Sequence, residues 1–200
     1  MNILVVVAHP DDEVLGCGGT IAKHVKDGDT VDVVILGGGR GGLENACREA
    51  NYIMGSRVAI GDLPDQRFDN VDLLDIIQSL EGSEYDVIYT HDENDLNLDH
   101  RIVCEAVKTA FRPLPGRKTN ILTFEIPSSS EWGGGFIPNY FVDVTDTVDL
   151  KEQALSCYGS EMRAEPHPRS YTGVYSLMRW RGATVGVRYA EAFKVVRMIC

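Results

Sequence analysis

The sequence predicts an α/β protein: a three-layer α/β/α, Rossmann-like domain with a mainly parallel sheet. Three observations lead there. Short apolar runs alternate with stretches of helical period from residue 1 to about residue 110, the pattern of strands joined by crossover helices. The helical stretches are long enough for right-handed connections between parallel strands. Polar and glycine-rich clusters follow several of the apolar runs, at the sheet edge where open parallel sheets bind ligands.

Taken in order, residues 3–7 (Ile-Leu-Val-Val-Val) form a continuous apolar run and the first strand. Residues 14–26 place Leu15, Ile21, Ala22 and Val25 at roughly helical spacing and stop at Asp27-Gly28-Asp29, a turn signal. Residues 31–36 give the second strand, 43–54 a helix stopped by Gly55, and 57–60 a short third strand. A helix over 71–80 and a fourth strand over 86–90 follow. Over 99–111, Ile102, Val103, Ala106, Val107 and Ala110 share one face of an amphipathic helix that Pro113 terminates. The remainder is less regular: strands over 121–126 and 140–144, helices over 149–158 and 174–181, and a loop over 127–138 that reads as a mobile pocket wall.

Two hundred residues with 44% hydrophobic content suit a single domain spanning 1–200. No run of about 18 apolar residues appears, and the N-terminus enters a strand directly, so a soluble, cytoplasmic protein is expected. A net charge of −11 argues against nucleic acid, whose binders carry basic stripes; the expected partner is a small molecule. Five scattered cysteines (Cys17, Cys47, Cys104, Cys157, Cys200) show no Cys-x-x-Cys pair. Neither a disulfide framework nor a thiolate metal site is indicated.

The densest chemistry is Ala8-His9-Pro10-Asp11-Asp12-Glu13, directly after the first strand. A dinucleotide site would place glycines here; three acids would repel a pyrophosphate. His9 and Asp12, three apart across a Pro-constrained turn, can face one point, and imidazole with carboxylate suits Zn²⁺ or another divalent ion. A third ligand is available in His100, at the start of the helix after the fourth strand. Two histidines and one carboxylate leave coordination positions for water and substrate. Asp11 then stands as the general base beside the site. A plainer account has the acids capping the helix that begins near Val14, and a non-catalytic Rossmann-like binding module is the corresponding alternative.

Together with Asp99-His100-Arg101, this run resembles the PIG-L/LmbE family of zinc-dependent de-N-acetylases. The similarity extends to Gly16-Cys17-Gly18-Gly19-Thr20, Leu63-Pro64-Asp65, His167-Pro168-Arg169-Ser170, Arg181-Gly182 and Tyr189-Ala190-Glu191-Ala192-Phe193. The resemblance implies His9, Asp12 and His100 as zinc ligands, Asp11 as base and Asp99 as a residue orienting a histidine. It also implies hydrolysis of an N-acetylated amino sugar to acetate and free amine; an amidase acting on a thiol conjugate is the alternative substrate class. Many members carry a histidine three residues before the last ligand, where this chain has Asn97. The acid must then come from elsewhere, with His167 as first candidate and His91 as second.

Other residues divide between bland and functional readings. Gly37 to Gly42 is a flexible connection or brings Arg40 to an anionic group on the substrate. Asp65 is a turn residue or contacts sugar hydroxyls; Asn97 joins it among the substrate-binding candidates. Arg169 and Glu191 are paired surface charges or shape the pocket. Trp132 and Trp180 could stack on a sugar ring, Trp132 being the better placed, or serve in a core or interface. His24 reads as a surface residue. A homo-oligomer is compatible with a C-terminal loop reaching a neighbouring subunit.

Overall fold

A computed structural model describes residues 1–38, 42–82, 84–116 and 118–199. The elements are β1 (Asn2–Val7), α1 (Asp12–Lys26), β2 (Thr30–Gly37), α2 (Leu43–Met54), β3 (Arg57–Leu63), α3 (Leu73–Ser79), β4 (Val87–His91), α4 (Leu98–Ala110), β5 (Asn120–Phe124), β6 (Tyr140–Asp143), α5 (Val148–Cys157), α6 (Tyr171–Val185) and β7 (Ala190–Arg197). They build one seven-stranded sheet in the order β3-β2-β1-β4-β5-β7-β6. Strands β1 to β5 pair in parallel, whereas β7 runs antiparallel to both β5 and β6.

The alternation of β1 sorts the core into two layers. Ile3, Val5 and Val7 face the layer built with α1, α2, α5 and α6, where Val14, Ile21, Met54, Leu155 and Met178 are buried. Leu4 and Val6 face the other, with Ile76 and Ile77 of α3 and Val103 and Val107 of α4. The predicted three-layer α/β/α architecture is the one observed. No helix among the described residues is long and apolar enough to cross a membrane.

Strand order positions the site. From β1 the chain steps outward through β2 and β3, then returns to add β4 on the other side of β1 and β5 beyond it. The carboxyl ends of β1 and β4 therefore adjoin at a topological switch point, where a crevice opens between diverging connections. His9 to Asp12 follow β1, and the segment from Asp92 to His100 follows β4.

Strand β7 departs from the predicted elements. Glu191, Lys194 and Arg197 interrupt its apolar pattern, and the buried Glu191 is matched by an equally buried Lys151, a pairing that sequence periodicity does not register. The loop over 127–138 is also pinned more firmly than a mobile wall: Ser129 and Ser130 donate to Asp95, and Gly134 N–H donates to Asn94 O at 3.0 Å.

Candidate active site

The turn after β1 closes on itself. His9 N–H donates to Asp12 Oδ2 at 2.9 Å, and Asp12 N–H reaches His9 O at 3.3 Å. Asp11 between them adopts φ 106°, ψ −29°, a left-handed conformation that non-glycine residues rarely hold without compensation. Its N–H donates to Glu13 Oε2 at 3.1 Å. Glu13 is wholly buried and accepts from Tyr158 Oη at 2.7 Å and Asn51 Nδ2 at 3.1 Å. Asp11 occupies the N-cap position of α1, yet its side chain makes no capping bond; it pairs with the Arg169 guanidinium instead. The capping account thus fails for Asp11, and its carboxylate is directed to the cleft.

His100 enters from the first turn of α4, which Asn97 caps by accepting Asp99 N–H at 2.9 Å. Asp12 Oδ2 lies 3.3 Å from His9 Nδ1 and 3.3 Å from His100 Nε2. Tetrahedral zinc, with bonds of about 2.0–2.2 Å, spaces its ligand atoms about 3.3 Å apart. His9, Asp12 and His100 therefore fit a divalent cation in donor type, number and spacing, with all three ligand atoms inside 4.8 Å of one another.

Outer residues hold these rings. His9 Nε2 lies 3.0 Å from Asp99 Oδ2 and 3.3 Å from Asp65 Oδ1, while Asp99 Oδ1 accepts Phe68 N–H at 3.1 Å. His100 Nδ1 approaches Asp95 Oδ1 at 3.1 Å, though not along a hydrogen-bonding direction. Asp95 is fastened by Ser129, Ser130 and the N–H of Asn97. Carboxylates behind ligand imidazoles fix ring orientation and raise ligand basicity.

The electrostatics follow from crowding of charge in a buried place. For His9, burial opposes protonation, but hydrogen bonds to Asp12 and Asp99 outweigh it and hold the pKa up at about 10. His100 behaves alike: burial is overcome by Asp12 and Asp95, giving about 9. The same balance holds Asp95 down at about 2 against burial, through His100, Ser129 and Ser130. Burial and then the charge of Asp12 push Asp11 well above the usual carboxylate range, against the downward pull of Arg169. Asp12 goes well below it, because His100, His91 and His9 outweigh its own burial. Glu13 rises to about 7 through burial.

These residues open on a cleft of about 490 Å³, within the range of small-molecule sites. Asp65, Asn97 and Arg169 line it, beside Gln66, Ser128, Ser129, Glu161 and Arg163. Other predicted residues lie elsewhere. His167 is not among the lining residues; its Nδ1 accepts Arg169 N–H at 3.0 Å and so braces that residue's backbone. His91 is fully buried, stacked on His100 at 3.9 Å, with Nε2 accepting Ala8 N–H at 3.0 Å. Burial and the neighbouring His100 lower its pKa to about 3; it backs the His100 ring and is not among the residues that line the cleft. Trp132 and Trp180, 72% and 64% exposed, do not line the cleft. Arg40 lies outside the described residues.

Glu191 and His24 also differ from their expected surface roles. Glu191 is no surface charge: it is buried against Lys151 at 2.6 Å and accepts Gly19 and Thr20 N–H groups where α1 breaks at Cys17. His24 is partly buried, held between Asp29 at 2.7 Å and Tyr89 Oη at 3.0 Å. Sequence reasoning missed Asp95, Glu161 and Arg163 as cleft or support residues. Asp95 stood inside the segment that supplied His100, and its place before a helix was the available signal.

The class defined here is an α/β protein with two imidazoles and a carboxylate at a spacing that could hold a metal ion, and a further carboxylate, paired with Arg169, beside them at the switch point. Residues 4–111 match the model of the PIG-L family, described as GlcNAc-PI de-N-acetylase, and the chain belongs to that family. It is 31% identical over 161 residues to the uncharacterized deacetylase YaiS of Escherichia coli strain K12, covering 72% of this chain and 83% of that one. It is 24% identical to the diacetylchitobiose deacetylase of Thermococcus kodakarensis, over 98% of this chain and 83% of the relative. Among solved structures, the conserved protein TT1542 from Thermus thermophilus superposes with a TM-score of 0.81 at 25% identity, covering 99% of this chain and 96% of that one. The fold is also shared with GalB, the 4-carboxy-2-hydroxymuconate hydratase of Pseudomonas putida KT2440, at a TM-score of 0.79, 24% identity and coverage of 100% and 97%.

Proposed function

We propose that the chain is a zinc-dependent N-deacetylase that hydrolyses the acetamide of an N-acetylated amino sugar to acetate and the free amine. One observation carries it: the Asp11 carboxylate stands in an open cleft beside a His9–Asp12–His100 set spaced for a divalent ion. An ion held there would polarise the amide carbonyl and lower the pKa of water toward about 7.

The chain's own groups do the rest. Asp99 and Asp95 hold the ligand rings. Asp11 takes the proton released as water attacks the carbonyl carbon, and returns it to the departing nitrogen, a duty compatible with its raised affinity for protons. We assign the acid role expected of His167 to Asp11 as well, since Asp11 lines the cleft whereas His167 does not and stands behind Arg169, whose N–H its Nδ1 accepts. Asp65, Asn97 and Ser128 offer hydrogen-bonding groups for sugar hydroxyls. We place this reaction in the cytoplasm, on a small-molecule substrate.

The test is acetate release by the zinc-loaded protein from N-acetylglucosamine, diacetylchitobiose and nucleotide-linked N-acetyl sugars, run beside N-acetylcysteine conjugates. Turnover confined to the sugars is expected. Turnover confined to the thiol conjugates would replace the substrate class, and hydration of an unsaturated acid without acetate release would replace the reaction.

A further inference from the structure

Attack of water on an amide carbonyl places negative charge on its oxygen, and a preorganised donor in the cleft would stabilise that charge. Resting on the amide hydrolysis proposed above, we infer that Arg169 is a catalytic residue whose guanidinium donates to that oxygen as the attack proceeds.

The geometry begins with an incompletely used fork. Arg57 grips Asp32 through both Nε and Nη2 (2.7 and 3.0 Å), and Arg181 grips Glu125 in the same way (2.7 and 2.7 Å). Among the described residues, Arg169 uses Nη2 alone, on Asp11 Oδ2. Its buried Nε has no hydrogen-bond partner among them, an arrangement that is costly for a buried donor. Arg169 also lines the cleft beside that base, so a guanidinium whose fork is only partly used stands where a reacting atom can be received.

The backbone around Arg169 is fixed before substrate arrives. Its N–H bonds His167 Nδ1 at 3.0 Å, its carbonyl accepts Arg163 N–H at 3.2 Å, and the next residue, Ser170, caps α6 by accepting Gly173 N–H at 3.0 Å. Gly173 is packed so closely that a Cβ there would meet Pro168 O at 2.4 Å. The long side chain is therefore delivered from a rigid turn, and preorganised donors are the ones that stabilise transition states most.

Charge movement supplies the reason. As the water oxygen bonds to the carbonyl carbon, the C=O π pair moves onto the carbonyl oxygen and the water proton passes to Asp11. Negative charge leaves Asp11 and appears a few ångströms away. Arg169, already desolvated against Asp11, can follow it with little reorganisation. When the C=O bond re-forms, the C–N bond breaks and nitrogen takes the proton from Asp11. Arg169 itself transfers no proton, since guanidinium stays protonated in proteins.

The test uses the zinc-loaded protein and Arg169→Ala, with Arg169→Lys as a second variant that preserves a cation beside Asp11 should the alanine variant not fold. Loss of kcat by about 10²- to 10³-fold, with KM within about threefold and zinc content unchanged, is expected. Guanidinium chloride should restore part of the Arg169→Ala rate saturably where sodium chloride does not. Acetate, whose oxygen occupies the same position in the product, should bind zinc-loaded Arg169→Ala about tenfold more weakly than wild type. A rise in KM with kcat unchanged, no rescue in a folded variant, or acetate binding that is equal in both proteins or absent from wild type would each overturn it. Failure of wild type to release acetate from amino sugars would overturn the proposed function alone, because acetate binding needs no substrate.

Discussion

Asp11 holds a backbone conformation that its side chain disfavours and keeps a carboxylate almost out of water, at 4% exposure. Glu13 makes this tenable by accepting the Asp11 N–H while Tyr158 and Asn51 donate to its other oxygen. Glu13→Gln would put an amide among donors at one of those oxygens. We expect a loss of about 1–3 kcal/mol in unfolding free energy, measured by urea titration of the metal-free protein, and a fall in kcat as Asp11 loses its tether. Unchanged stability would mean that Glu13 is not the support. Of this residue-level network, the sequence disclosed the local part. His9, Asp11, Asp12 and Glu13 are neighbours, and their crowding was legible; the Arg169–Asp11 pair joins positions 158 apart, and only the fold brings them together.

At the scale of elements, α1 carries the site at its start and breaks at Cys17 (φ −147°, ψ 25°). The backbone groups freed there are met from elsewhere: Lys151 Nζ donates to Leu15 O at 2.9 Å, and Glu191 accepts from Gly19 and Thr20. Lys151→Met leaves a buried carboxylate without its cation, a loss of about 3–5 kcal/mol, or roughly 2–4 °C in Tm per kcal/mol for a chain of this size. Lys151→Met combined with Glu191→Gln should recover part of that loss. Strict additivity in the double-mutant cycle would contradict direct coupling. Close packing sets the position of the same helix, since a Cβ on Gly16 would meet the Phe124 ring at 2.3 Å. Gly16→Ala is expected to cost about 1–3 kcal/mol through overpacking; a melting curve unchanged from wild type would contradict it. Strands β1, β2 and β4 were readable as apolar runs. Strand β7 was not, because the burial of Glu191 depends on a lysine of α5.

For the whole molecule, the sheet order converts two separate motifs into one centre by setting the ends of β1 and β4 side by side. That convergence was legible only as a rule about parallel sheets, whereas the face and depth at which each carboxylate settles required packing. The result is a concentration of Asp11, Asp12, Asp65 and Asp99 around two imidazoles, in a chain whose net charge is already −11. A divalent ion would relieve that repulsion. Binding at 1,000 times its dissociation constant contributes about 4 kcal/mol, so removing zinc with a chelator should lower Tm by roughly 8–16 °C. No change in Tm on chelation would place the ion elsewhere or nowhere. The central claim, a metal triad with Asp11 as a separate base, is tested most directly by measuring zinc content and acetate release together in Asp11→Ala and His100→Ala. Asp11→Ala is predicted to keep stoichiometric zinc and lose turnover, and His100→Ala to lose both; full turnover in Asp11→Ala, or stoichiometric zinc in His100→Ala, would contradict it.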